Sequence, residues 1–116
     1  MNTRKTGDWY EQKAIQMLEK QGVQILERNF RTKIGEIDII VKDENFIVFV
    51  EVKYRKDVAL GNPEESVGKR KQNKICMVAK NYFMQQGISF DTPIRFDVIA
   101  ILGEEISWYK NAFLFH

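Results

Sequence analysis

The chain has 116 residues, 44% of them hydrophobic and 29% charged, and a net charge of +2. That size and balance describe one soluble globular domain spanning residues 1–116, able to bury a core without staples, and so small a net charge does not by itself argue for nucleic acid. The single cysteine, Cys76, excludes an internal disulfide and a multi-cysteine zinc site; flanked by Ile75, Val78 and Ala79, it reads as a reduced packing residue.

The N-terminal stretch "MNTRKTGDWYEQK" lacks the apolar segment of a signal peptide, and no run approaches the ~18 apolar residues of a membrane helix, so the cytoplasm is the expected location. The first element is a helix over residues 6–21. Tyr10, Ala14, Met17, Leu18 and Gln21 fall at helical spacing, and Gly22 stops it. Glu11 is in phase with Ala14, Ile15 and Leu18, which places it at the border of the buried stripe. Strands follow over "VQILERNF", "GEIDIIVK" and "FIVFVEVKYR". "KDVALGNP" reads as a loop, and Asn62-Pro63-Glu64-Glu65 as a helix start: a cap, a proline at the first position and acids in the first turn. From Lys69, the pattern Ile75, Val78, Ala79, Tyr82, Phe83 marks an amphipathic helix ended by Gly87. The strand "IRFDVIAIL" and a short "ISWYK" complete an α-β-β-β-α-β-β order, which predicts an α/β fold on a mixed sheet. Trp108, Ala112, Phe113, Leu114 and Phe115 are expected to cover the sheet edge or to form a subunit contact. No internal repeat or low-complexity segment is present.

The chemistry concentrates in the hairpin between the second and third strands. A two-residue turn at Glu44-Asn45 makes opposed residues sum to 89, so Asp38 faces Glu51 and Glu36 faces Lys53 on one side of the sheet. The other side, Ile37, Ile39 and Val41 against Val48, Val50 and Val52, is then wholly apolar, and a one-residue slip would mix the two sides. Two carboxylates ~5 Å apart at an effective dielectric of ~20 repel by about 3 kcal/mol. Something must relieve that repulsion. A bound proton, the Lys53 ammonium or a divalent cation would each do so, and Mg²⁺ favours one or two carboxylates completed by water and phosphate oxygens. The plainer reading is an ordinary salt bridge at a strand end. Glu36 is expected to pair with Lys53 or Arg55, and Asp97 to be a structural hydrogen-bonding partner. Two basic clusters, Lys53-Arg55-Lys56 and Lys69-Arg70-Lys71-Lys74, are more often solvated faces than phosphate contacts, while for Lys71, Gln72 and Lys74 the two readings stand equal.

In order, Glu11, Asp38 and Glu51-Val52-Lys53 resemble the PD-(D/E)xK nuclease superfamily with its restriction-endonuclease-like fold. More narrowly, "GEIDIIVKD", "VFVEVKYR", "SVGKRKQNK", "RFDVIAI" and "WYKNAF" are similar to the YraN-like family of small bacterial proteins, over nearly the whole chain. That resemblance implies an α-β-β-β-α-β core and a relation to archaeal Holliday-junction resolvases. It implies that Asp38, Glu51 and the Val52 carbonyl hold Mg²⁺ or Mn²⁺, that Lys53 is the catalytic lysine, and that Glu11 holds a metal-bound water or a second ion. The proline of the signature is absent, and Ile37 stands before Asp38. The implied activity is phosphodiester hydrolysis in DNA, branched or recombination intermediates included, with Arg55, Lys69, Arg70, Lys71, Gln72 and Lys74 toward the nucleic acid. A non-catalytic nucleic-acid-binding module and an interaction subunit are the alternatives, and a homodimer would suit a symmetric junction.

Overall fold

Period-3.6 patterning at both helical segments and continuous apolar runs in the central strands set the layers. The structure is a computed structural model that describes residues 3–55 and 67–115. In chain order it contains α1 (Thr3–Lys20), β1 (Gln24–Arg31), β2 (Glu36–Asp43), β3 (Phe46–Arg55), α2 (Lys69–Gln86), β4 (Ile94–Leu102) and β5 (Glu105–Phe113). The fold is α/β, as expected. The loop "KDVALGNP", the helix start at Asn62, and Lys56 and His116 lie outside the described residues.

The five strands lie in sequence order, antiparallel except for β3 and β4, which run parallel with α2 as their crossover. Each face carries one helix. On one, α2 brings Ile75, Val78, Ala79, Tyr82 and Phe83 onto Ile40, Ile47, Phe49, Phe96 and Val98. On the other, Tyr10, Ala14, Ile15 and Leu18 of α1 meet Ile39, Val41, Val48, Val50, Val52, Ile99 and Ile101. Covering both faces is what lets β3 and β4 read as unbroken apolar runs rather than alternating ones. Cys76 is buried on the sheet-facing side of α2, as its neighbours suggested. Gly87 ends that helix at φ 64°, a left-handed position that glycine takes without a Cβ clash, while Ile88 N–H closes back on the Phe83 carbonyl. Among the described residues, no helix is long and apolar enough to cross a membrane.

The hairpin keeps the expected register from Asp43–Phe46 to Ile39–Val50, around a turn in which Glu44 takes φ 56°. Beyond Ile39–Val50 the two strands part. The expected ladder pairs Asp38–Glu51 and Glu36–Lys53 are therefore not made, and the supposed apolar face is wrong at one position. Ile39 and Val41 pack toward α1, but Ile37 packs toward α2 beside Ile40. On the neighbouring β1, Asn29 takes φ 52° between the paired residues Arg28–Ile39 and Phe30–Ile37, opposite Asp38. The last strand is also longer than "ISWYK". Asn111, at φ 56°, forms a bulge that lets the strand continue to Phe113, whose ring stacks 4.9 Å from Phe96.

Candidate functional site in the fork of β2 and β3

Where β2 leaves β3, the backbone N–H of Val52 loses its ladder partner, and Asp38 supplies one: Oδ2 accepts that N–H at 2.8 Å. Asp38 is thereby drawn into the fork. Glu51 enters from β3 and is 3% exposed. The two carboxyl groups lie within hydrogen-bonding reach of each other and line one cavity of about 390 Å³ with Gly7, Glu11, Glu36, Val52, Tyr54 and Lys71. The acids thus converge as the hairpin parity suggested, but through an opened ladder rather than a paired one. Tyr54 stacks on Tyr10 at 4.1 Å, which fixes the α1 wall of the cavity against the sheet.

The electrostatics are those of a centre short of positive charge. Burial, and then the neighbouring Asp38 charge, push the Glu51 carboxyl up to about 8. Burial also raises Asp38, against the pull of the Val52 N–H. Glu11 rises to about 7, by burial first and by Asp38 second, with a hydrogen bond to Asn29 opposing both. Among the described residues, one oxygen of Glu51 and one of Glu11 are buried without a hydrogen-bond partner. Lys53 is lowered to about 8, by burial and then by contact with Lys71. Lys71, on the first turn of α2, places Nζ 3.5 Å from Glu51 Oε2, a loose ion pair rather than a tight hydrogen bond. Burial works against its charge, but Lys53 and the two carboxylates prevail and its pKa is raised.

Asp38, Glu51, Val52 and Glu11 therefore meet at one cavity, and Lys53 reaches it through Lys71. Among the described residues, no three His, Cys, Asp or Glu side chains close into a metal-ligand group. The donor set still fits a hard divalent ion. Two carboxylates and unpartnered buried oxygens beside an open cavity are what Mg²⁺ accepts while it keeps waters. The basic residues divide. Lys69, Arg70 and Lys74 are exposed on α2, whereas Lys71 faces the acids. The Gln72 amide is turned inward, with Nε2 donating to the Val67 carbonyl at 3.0 Å, so its expected phosphate contact is not supported. Arg55 is half-buried at the end of β3. Glu36 pairs with Arg31 at 2.6 Å instead of Lys53 or Arg55, because β1 stays beside it where β3 has departed. Asn29 escaped sequence reasoning; its signal was a polar, left-handed-tolerant residue interrupting the strand "ILERNF".

The described residues line a second cavity of similar volume with Phe49, Phe83, Phe90 and Phe115, away from this chemistry. Lys80 is the one charged residue on its wall.

Residues 10–101 match the model of "Uncharacterised protein family UPF0102". The chain belongs to this family. It is 46% identical over 113 residues to the UPF0102 protein of Lachnoclostridium phytofermentans, covering 97% of this chain and 96% of that one. It is 47% identical over 115 residues to the UPF0102 protein of Clostridioides difficile, covering 97% and 100%. With the UPF0102 protein of Fusobacterium nucleatum it shares 47% over 111 residues, covering 96% and 92%. The matched span of the family model takes in Glu11, Asp38, Glu51, Lys53 and Lys71 together, so the whole cavity wall apart from Gly7 lies within it.

Proposed function

We propose that the protein is a divalent-metal-dependent DNA endonuclease of the PD-(D/E)xK, restriction-endonuclease-like kind, acting on branched or recombination intermediates. One observation carries the reading: two buried carboxyl groups, one with an unpartnered oxygen, meet in a strand fork beside a lysine of weakened charge. Asp38, Glu51 and the Val52 carbonyl would hold Mg²⁺ or Mn²⁺, with Glu11 across the cavity holding a water or a second ion. Bound there, the ion supplies polarisation of a phosphodiester oxygen and a more acidic water. Lys53, whose pKa of about 8 lies near neutrality, accepts a proton from an attacking water when neutral and offsets phosphate charge when protonated. Lys69, Arg70 and Lys74 offer exposed cations to the flanking backbone. The test is nicking of fork, junction, flap and linear DNA by the purified protein with Mg²⁺ or Mn²⁺. Glu51→Gln and Lys53→Ala are each expected to lose cleavage by roughly 10²-fold or more. Unchanged cleavage in both variants ends the proposal.

The exposed basic turn at Lys69, Arg70 and Lys74 favours a second reading, a nucleic-acid-binding module without catalysis. Such a protein binds DNA with an affinity that falls steeply with salt and is indifferent to Mg²⁺. Binding measured across a salt series, with and without Mg²⁺, separates the two.

A further inference from the structure

The acid pair is not left bare in this structure, and the group that meets it is the one the hairpin could not supply. Lys71 comes from the first turn of α2, the crossover helix that follows β3. Its Nζ reaches Glu51 Oε2 at 3.5 Å, although 43% of its side chain remains exposed. It is also in contact with Lys53. Lys71 is thus the cation in direct contact with Glu51, and its side chain still opens onto the cavity. The contact is loose and half-solvated, and its geometry lets a long, flexible side chain swing away at small cost.

Resting on the metal-site reading above, we propose that Lys71 is an exchangeable counter-ion: it holds Glu51 until a divalent cation takes that place, and then turns to a phosphate oxygen of the nucleic acid. Lys71 thus couples filling of the acidic fork to capture of the substrate backbone. Before exchange its charge is engaged by Glu51; after exchange, repulsion from the incoming cation drives it outward, on the helical turn that also carries the exposed Lys69 and Arg70.

The experiment measures Mn²⁺ affinity by titration calorimetry or electron paramagnetic resonance, independently of any cleavage. Lys71→Met keeps the aliphatic stem and removes the charge, and Lys71→Arg retains a cation. Thermal melts establish that both are folded. Lys71→Met is expected to bind Mn²⁺ roughly tenfold more tightly than the parent protein, since a half-screened cation next to the site is gone, and Lys71→Arg to stay near the parent. Oligonucleotide binding by fluorescence anisotropy over a salt series supplies the second readout. With Mn²⁺ saturating, the parent's slope of log affinity against log salt should exceed that of Lys71→Met by about 1, and without Mn²⁺ the two slopes should agree. Equal or weaker Mn²⁺ binding by Lys71→Met overturns the proposal, as does a slope difference that is the same with and without the ion. If neither the parent nor Lys71→Met takes up Mn²⁺ at millimolar concentration, the acidic fork is not a metal site, and both this inference and the reading beneath it fall.

Discussion

Two buried acidic centres lie almost back to back in the sheet, and they are built on opposite plans. Asp97 on β4 pairs with Val50, the residue before Glu51, and is fully buried. Every lone pair it offers is used. Arg95 donates from Nε and Nη2, Trp108 from Nε1 at 2.8 Å, and the Asn111 backbone N–H at 2.9 Å, while the same guanidinium reaches Asp43 at 2.8 Å. One residue along the ladder, Glu51 is nearly as buried and faces another acid, and one of its oxygens has no partner. A buried charge costs several kcal/mol unless paired and hydrogen-bonded. The Asp97 centre meets that cost from within the chain and holds the Asn111 bulge in place. The Glu51 centre leaves part of it unmet, and an unmet requirement for positive charge in a solvent-accessible cavity is what distinguishes a ligand site from a structural one.

The contrast is most directly broken by removing each acid in turn. Asp97→Ala strands an indole N–H and the bulge amide and leaves a mostly buried guanidinium with Asp43 alone. It is expected to destabilise the fold by about 3–5 kcal/mol, read as a fall in the urea midpoint. Glu51→Gln should move the other way. It removes a like-charge opposition and offers an amide N–H to Asp38, so the metal-free protein should gain roughly 1–3 kcal/mol at pH 8. A destabilised Glu51→Gln would show that the fork is a structural centre like its neighbour.

Acidity sharpens the same comparison. Glu51 in the folded chain titrates near 8, far above an ordinary glutamate, so the folded protein holds that proton more tightly than the unfolded chain does. The resulting stabilisation is complete below the ordinary carboxylate range near 4.5 and is lost as pH rises through about 8. Glu11, near 7, adds a smaller change of the same sign. Lys53, lowered from 10.5 to about 8, acts in the opposite direction: its contribution is complete above 10.5 and lost as pH falls toward 8. The metal-free protein should therefore be weakest near pH 8, with a fall on the order of 2 kcal/mol on the acid side that Glu51→Gln largely abolishes. Chemical denaturation at fixed ionic strength across pH 5–10 measures it, and an acid limb as steep in Glu51→Gln as in the parent contradicts the assignment.

The two centres also differ in how far the sequence disclosed them. The alternation "EIDIIVK" against "FIVFVEVK" specified the hairpin register, because a slip would have mixed charged and apolar positions on both faces. The same logic brought Asp38 and Glu51 together. It could not show that the ladder ends at Ile39–Val50, because no residue in either strand interrupts the alternation there. Past that point Ile37 turns toward α2, and Glu36 finds Arg31 on β1 in place of a β3 cation. Lys71 was legible as a basic residue but not as a wall of the acidic cavity; its position follows from how α2 crosses the sheet, a packing outcome that no local pattern encodes. Asp97 was read as structural, and the Arg95 beside it in "IRFDV" is the partner that makes it so.

Glu36 provides the smallest effect and the strictest control on the distinction. It lines the same cavity as Glu51 and sits two residues from Asp38, so proximity alone would make it a member of the site. Yet its side chain is 39% exposed, and it is satisfied by Arg31 at 2.6 Å across the β1–β2 pair. Water and a surface guanidinium already meet its need for positive charge, and exposed pairs of this kind contribute little to stability. Glu36→Gln should accordingly leave the denaturation midpoint unchanged within error and shift Mn²⁺ affinity far less than Glu51→Gln does, with thermal melts and calorimetry as the measurements. If Glu36→Gln weakened Mn²⁺ binding as much as Glu51→Gln, then the summed negative potential of the cavity, rather than burial and an unmet bond at particular oxygens, would be what attracts the ion.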